Sequence, residues 1–219
     1  MKNNKGAVEG ILWIIMLTPI LYFAAVYSGL PDTVATHFDA NGVADAYSDK
    51  SSLWILVTGF PIGLYALMKF APTFDPKGNL KKYDNSYSKL RVIIQLFIAA
   101  VVLIIVLNAD GVIENTAYAI TFAFAFLITM LGNYLQTVKP NYFVGFRTPW
   151  TLESEEVWRK THRLIGRVFF FSGIICALVM AFIPQHYAIK LIVALTLGGT
   201  LYGSVYSYLL FTRIEKQKT

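Results

Sequence analysis

The chain is poor in charge and nearly without cysteine: of 219 residues only 15% are charged, one is cysteine and three are histidine. A soluble domain carries about 25% charged residues, so this composition argues against one. A single cysteine, Cys176, excludes an intrachain disulfide framework and reads as a small packing residue. Three histidines in three separate loops, with no Ser-His-Asp set, zinc motif or phosphate loop, point away from an enzyme and imply no cofactor. Most telling is where charge is missing. Nothing ionised at neutral pH lies in residues 10–31, 51–68, 92–109, 115–138, 168–189 or 191–212. Each window is long enough for a helix to cross the hydrocarbon, which takes about 17–25 residues. Continuous apolar runs exclude the alternating pattern of a membrane barrel.

What is present is 56% hydrophobic. The expected fold is an all-α integral membrane bundle of six spans, approximately 10–30, 51–70, 91–109, 115–138, 165–184 and 188–212, forming one membrane domain over 1–219. The apolar stretch from Ile11 to Tyr27 exceeds the about 7–15 residues of a signal-peptide core, so it reads as a retained span. With both termini placed in the cytoplasm, 17 of the 19 Lys and Arg residues fall inside and only Lys50 and Lys190 outside. That bias sets the expected orientation in the cell membrane. The net charge of +6 flanks spans and faces anionic lipid, and no basic domain exists to bind nucleic acid directly.

Two connections are long enough to carry function. Residues 31–50, expected outside, hold Asp32, Asp39, Asp45 and Asp49 against one lysine. Val34, Thr36 and Phe38 alternate with Ala35 and His37, Asn41-Gly42 is a favoured hairpin turn, and residues 43–47 can return as a second strand. A small acidic β-hairpin is expected, leaning on helix ends because two strands alone are marginal in water. His37, Phe38, Asp39, Gly42 and Asp45 are its candidate ligand-facing residues. Three loosely spaced ligands do not make a metal motif.

The second connection, residues 139–163, is expected in the cytoplasm. Pro140 ends the fourth span, Gly145 permits a tight turn, and Thr148-Pro149 has the pattern of a helix start. Beyond it Leu152, Val157, Trp158, Thr161, Leu164, Ile165 and Val168 recur at helical spacing opposite Glu155, Glu156, Arg159, Lys160 and Arg163. This predicts an amphipathic helix lying in the inner interface, with Trp158 at headgroup level, before the chain turns into the fifth span.

Gly132-Asn133, the run from Pro140 and Asn141 through Gly145, Arg147, Thr148, Pro149, Trp150 and Leu152, and then Val157-Trp158 through His162-Arg163 resemble the signature of the SdpI family. Leu30-Pro31 through His37-Phe38 to Gly42 resembles the domain of unknown function that precedes it in many members. The resemblance implies a membrane immunity protein that gives tolerance to a secreted peptide toxin. It also implies capture of a cytoplasmic transcriptional repressor at the membrane. Asn133, Asn141, Gly145, Arg147, Thr148, Pro149, Trp150, Trp158, His162 and Arg163 are then the candidate signature and partner residues. From the residues alone, Arg147 and Trp150 equally suit a structural role, Arg147 donating to exposed carbonyls and Trp150 anchoring in the interface.

A transporter is the alternative. The long loops follow the first and fourth spans, as an inverted repeat of three helices would place them, and Gly42 to Trp54 echoes Gly145 to Trp158 at spacings of 12 and 13. No window has a carboxylate at its middle, where ion pathways usually place one. Gln95, Asn108, Asn133 and Gln136 read as interhelical hydrogen-bonding groups, and Gly198, Gly199, Gly203, Ser204 and Ser207 as a close-packing face.

Overall fold

The computed structural model describes residues 5–39, 43–74 and 84–217. The expected Asn41-Gly42 turn and most of the loop between the second and third spans lie outside them. α1 (Lys5–Val26) leads through a short 3₁₀ turn to the hairpin strands β1 (Thr33–Phe38) and β2 (Ala44–Asp49). A π-helical turn, Ile55–Gly59, then opens α2 (Phe60–Phe70). Pro61 lacks the N–H that would close the ladder onto Val57, and the widened turn lies immediately before it. α3 (Asp84–Ala109), α4 (Thr116–Leu135), the short α5 (Pro149–Glu153), α6 (Glu155–Val179) and α7 (Gln185–Lys216) complete the chain. Six helical stretches, Gly6–Gly29, Lys50–Thr73, Asn85–Ala109, Thr116–Leu135, Glu155–Val179 and Gln185–Lys216, are long and apolar enough to cross a membrane. The chain is a multi-pass membrane protein whose regular structure, among the described residues, is helical apart from the hairpin.

Two ends of the bundle can be distinguished. At the hairpin end Val34 of β1 is buried among Phe23, Leu30, Leu53, Val57, Val102 and Val106, so the strands lean on α1, on the turns that lead into α2, and on α3, as two-stranded sheets must. Lys50 fastens their base, donating to the Leu30 carbonyl at 2.9 Å and pairing with Asp32 at 3.0 Å. At the other end Tyr87, Leu90, Tyr134, Val138 and Trp158 form a second buried cluster.

α4 and α6 make the closest helix pair. A Cβ at Gly132 would lie 2.3 Å from the Phe170 nitrogen, and one at Gly173 would lie 2.5 Å from the Ala125 carbonyl oxygen. Lipid tails are as apolar as side chains, so helices in a membrane gain little by hiding apolar surface; they gain by close contact, which small residues allow. α7 uses part of its expected small-residue face in the same way. Gly199 and Gly203 meet α6 at Phe169 and Ile165, and Ser207 hydrogen-bonds Thr148, whereas Gly198 faces open space. Gln95 bridges helices as expected, donating to the Pro61 carbonyl at 3.3 Å. Asn108 instead donates to the Ile113 carbonyl and Gln136 to Gly132 of its own helix, so neither links helices through these bonds. Cys176 is fully buried between α4 and α7.

One expectation is corrected. Residues 155–163 are not a separate interfacial helix: they are the first turns of α6, which continues unbroken to Val179. Trp158 is 1% exposed and sits inside the protein, not at the headgroups. Helical spacing shows that one stripe is apolar, but in a membrane it does not say whether that stripe meets lipid or protein.

Candidate functional site

The signature turn begins where α4 ends at Leu135. Asn141 organises it: its Oδ1 accepts from Phe143 N at 2.9 Å and Val144 N at 2.7 Å, and its Nδ2 donates to the carbonyls of Lys139 and Val144, both at 2.9 Å. Four bonds use the full capacity of the amide in this geometry, which suits its burial at 7% exposure. Gly145 follows with φ +125°, a backbone region open to glycine and strained for other residues. A Cβ there would meet His162 Nε2 at 2.5 Å and the Trp158 ring at 3.0 Å, so the loop lies directly on these two side chains.

Those side chains form the buried centre of the site. The Trp158 and His162 rings stack with centroids 4.0 Å apart. Trp158 Nε1 donates to the Val138 carbonyl at 3.0 Å, tying α6 to the chain just after α4. His162 Nε2 accepts from the Phe146 amide at 2.9 Å, which leaves Nδ1 to carry the proton and donate to the Trp158 carbonyl at 2.9 Å. The imidazole is thereby fixed as one neutral tautomer. A proton added at Nε2 would face the Phe146 N–H donor to donor and undo the contact with the loop.

Thr148 then caps α5 as the sequence suggests. Its hydroxyl accepts from Thr151 N at 3.2 Å, its own amide donates to Thr151 Oγ1 at 2.9 Å, and Pro149 occupies the first turn. The Thr148 hydroxyl also meets Ser207 of α7 at 3.0 Å. The Trp150 ring lies against Tyr208, centroids 5.0 Å apart, which anchors it on α7. The structure therefore brings Asn141, Gly145, Thr148, Pro149, Trp150, Trp158 and His162 into one clamp joining α4, α6 and α7. Arg147 stands outside it, exposed, donating to the Tyr142 carbonyl as one reading expected. Arg163 is exposed on α6 and Asn133 exposed on α4. Lys139, Arg159 and Lys160 add further exposed cations at this end.

At the hairpin end His37 Nδ1 lies 2.5 Å from Asp45 Oδ1, a pair exposed on both sides. Asp39 holds the strand exit, its amide donating to the Val43 carbonyl at 2.9 Å and its Oδ1 accepting from Val43 N at 2.8 Å. Gly42 lies outside the described residues. Beneath Thr36, His37, Phe38 and Asp39 opens a cleft of about 640 Å³, walled by Ile105 of α3, α4 between Ala117 and Ile128, and α7 between Ile189 and Leu197. Sequence reasoning missed this cleft, since its walls come from segments some seventy residues apart.

It also missed a charge pair within the spans. Arg91 Nη1 donates to Glu9 Oε1 at 2.6 Å, and Tyr65 donates to Glu9 Oε2 at 2.6 Å, joining α1, α2 and α3. Arg91 is 8% exposed, so removing Glu9 leaves a guanidinium with little water to solvate it. Each residue lies one position before a charge-free window, which is why window scanning passed over both.

Residues 137–207 match the SdpI/YfhL protein family, and residues 14–59 match a domain of unknown function, DUF1648. The first match covers the clamp from Val138 to Ser207; the second covers the hairpin, the part of α1 that leads to it and the π-helical turn that follows it. The chain is 25% identical to "Immunity protein SdpI" of Bacillus subtilis (strain 168), over 98% of this chain and 99% of that one. No solved structure matches it. By its signature over residues 137–207 and its end-to-end similarity to an immunity protein, the chain resembles the SdpI/YfhL family.

Proposed function

We propose that this protein gives the cell that carries it tolerance to a secreted, membrane-active peptide toxin, with the hairpin end outside and both termini in the cytoplasm. The observation that carries the reading is the collinear similarity to an immunity protein along nearly the whole of both chains. Orientation is supported by the 17 to 2 partition of basic residues. The acidic hairpin suits a cationic peptide arriving from outside. In the same reading the exposed residues of the signature, Arg147 and Arg163 among them, receive a cytoplasmic repressor, while the buried clamp only holds them in place.

The test is expression in a toxin-sensitive host, with survival and membrane abundance measured in the same cultures. The wild-type chain should raise survival. Arg147→Ala should keep abundance within about twofold of wild type, because an exposed substitution typically changes stability by less than about 0.5 kcal/mol. It should retain part of the tolerance and lose repressor capture. Full sensitivity at wild-type abundance across the peptides tried would contradict immunity and favour transport. A parallel fall in abundance and survival in Arg147→Ala would put Arg147 in the clamp.

A further inference from the structure

The cleft below the hairpin is apolar along its walls and polar only at its roof. Two threonines stand in its helical walls, but their hydroxyls are already turned onto their own helices: Thr121 donates to the Ala117 carbonyl and Thr196 to the Ile192 carbonyl, each at 2.7 Å. Nothing along the walls asks for water or a polar ligand. At the roof stand Thr36, His37 and Asp39. The α4 wall, from Ala117 to Ile128, runs about 17 Å at a helical rise of 1.5 Å per residue. That is roughly one leaflet of a hydrocarbon core about 30 Å thick. The cleft opens sideways as well: Phe124, Val193 and Leu197 line it and are each at least 44% exposed.

Such a shape admits an amphiphile already in the membrane, its apolar part in the cleft and its polar part under the hairpin. Charge decides which one. The connections at the hairpin end carry Asp32, Asp39, Asp45, Asp49, Asp110 and Glu114 against Lys50 and Lys190, and the carboxylate that lines the cleft is Asp39. An anionic lipid headgroup is repelled there and a basic side chain attracted. We propose that the cleft between α4 and α7 binds the apolar side of a cationic peptide inserted in the outer leaflet, with a lysine or arginine of the peptide at Asp39. The proposal rests on the immunity reading and gives it a place: the toxin is met from within the membrane.

The test uses the full chain in vesicles of phosphatidylethanolamine and phosphatidylglycerol. A photoreactive benzoylphenylalanine replaces either Leu197, in the cleft, or Leu201, one turn further along α7, comparably exposed and not part of it. The probe is a synthetic polyleucine peptide flanked by lysines, compared with its glutamate-flanked twin at equal membrane-bound amount. The Leu197 position should capture the lysine-flanked peptide about tenfold more than the Leu201 position, the ratio that 1.4 kcal/mol of preference gives. Asp39→Asn keeps an acceptor for Val43 N–H while removing the charge, and should lower capture several-fold. Val193→Trp should obstruct the cleft beside Leu197 and lower capture as well. Equal capture at both positions, or equal capture of the two peptides, overturns the proposal. Survival separates the two readings. If the wild-type chain protects cells and Val193→Trp protects as well at equal abundance, the cleft assignment falls and immunity stands. If the wild-type chain protects against nothing, immunity falls and the capture ratio alone decides the cleft.

Discussion

Replacing Gly145 by alanine should remove most of the protein from the membrane fraction. At φ +125° a side chain strains the backbone, at a cost of about 1–3 kcal/mol. The added Cβ would also stand 2.5 Å from His162 Nε2 and 3.0 Å from Trp158. Neither ring has room to yield, since both are 1% exposed and stacked on one another. Moving His162 aside would deprive the Phe146 amide of its acceptor, which adds about 1 kcal/mol for a part-buried hydrogen bond left unmade. The sum is a large part of the about 5–15 kcal/mol that holds a typical protein folded. Membrane abundance and thermal unfolding in detergent measure it. A Gly145→Ala protein with wild-type abundance and melting temperature would show that the loop does not rest on these rings.

Gly132→Ala should be as damaging for a different reason. Its Cβ would come within 2.3 Å of the Phe170 nitrogen, 2.7 Å of the Gly166 carbonyl oxygen and 2.8 Å of the Phe170 Cα, all of them backbone atoms of α6. No rotamer change relieves that contact, so α4 and α6 must separate along their length. Overpacking costs about 1–3 kcal/mol where side chains can adjust, and here the loss should reach or exceed the upper figure. Gly198→Ala is the matching control. A Cβ there meets nothing within 4 Å, and alanine favours helix over glycine by about 1 kcal/mol, so that protein should melt at or above the wild-type temperature. Indistinguishable melting of the two variants would contradict the close α4–α6 contact.

The spans, the hairpin and the signature turn could be read from the chain because each has a local cause. Absence of charge over some twenty residues defines a span; alternation from Val34 to Phe38 defines a strand; Thr148-Pro149 defines a helix start. The burial of Trp158 had no such cause. Its place depends on the Val138 carbonyl and the His162 ring, and the same apolar stripe would suit a lipid interface equally well. The signature residues as a set were visible through family resemblance, but their division into a buried clamp and an exposed Arg147 was not. The Glu9–Arg91 pair joins residues 82 positions apart, and the cleft is formed by three helices and a strand. Neither leaves a periodic trace in the sequence.

Toxin contact from outside and partner capture from inside both require the hairpin and the signature turn to face opposite sides of the membrane, the hairpin outward. Thiol labelling in intact cells tests this most directly, with cysteine introduced at Tyr47 on β2 or at Glu155 at the start of α6. Both positions are exposed, and the native Cys176 is fully buried, so it gives little background. Tyr47→Cys should react with a membrane-impermeant reagent in intact cells, and Glu155→Cys only after the membrane is permeabilised. Labelling of Glu155→Cys from outside, with Tyr47→Cys protected, would invert the protein and contradict both the toxin-facing hairpin and the cytoplasmic partner surface.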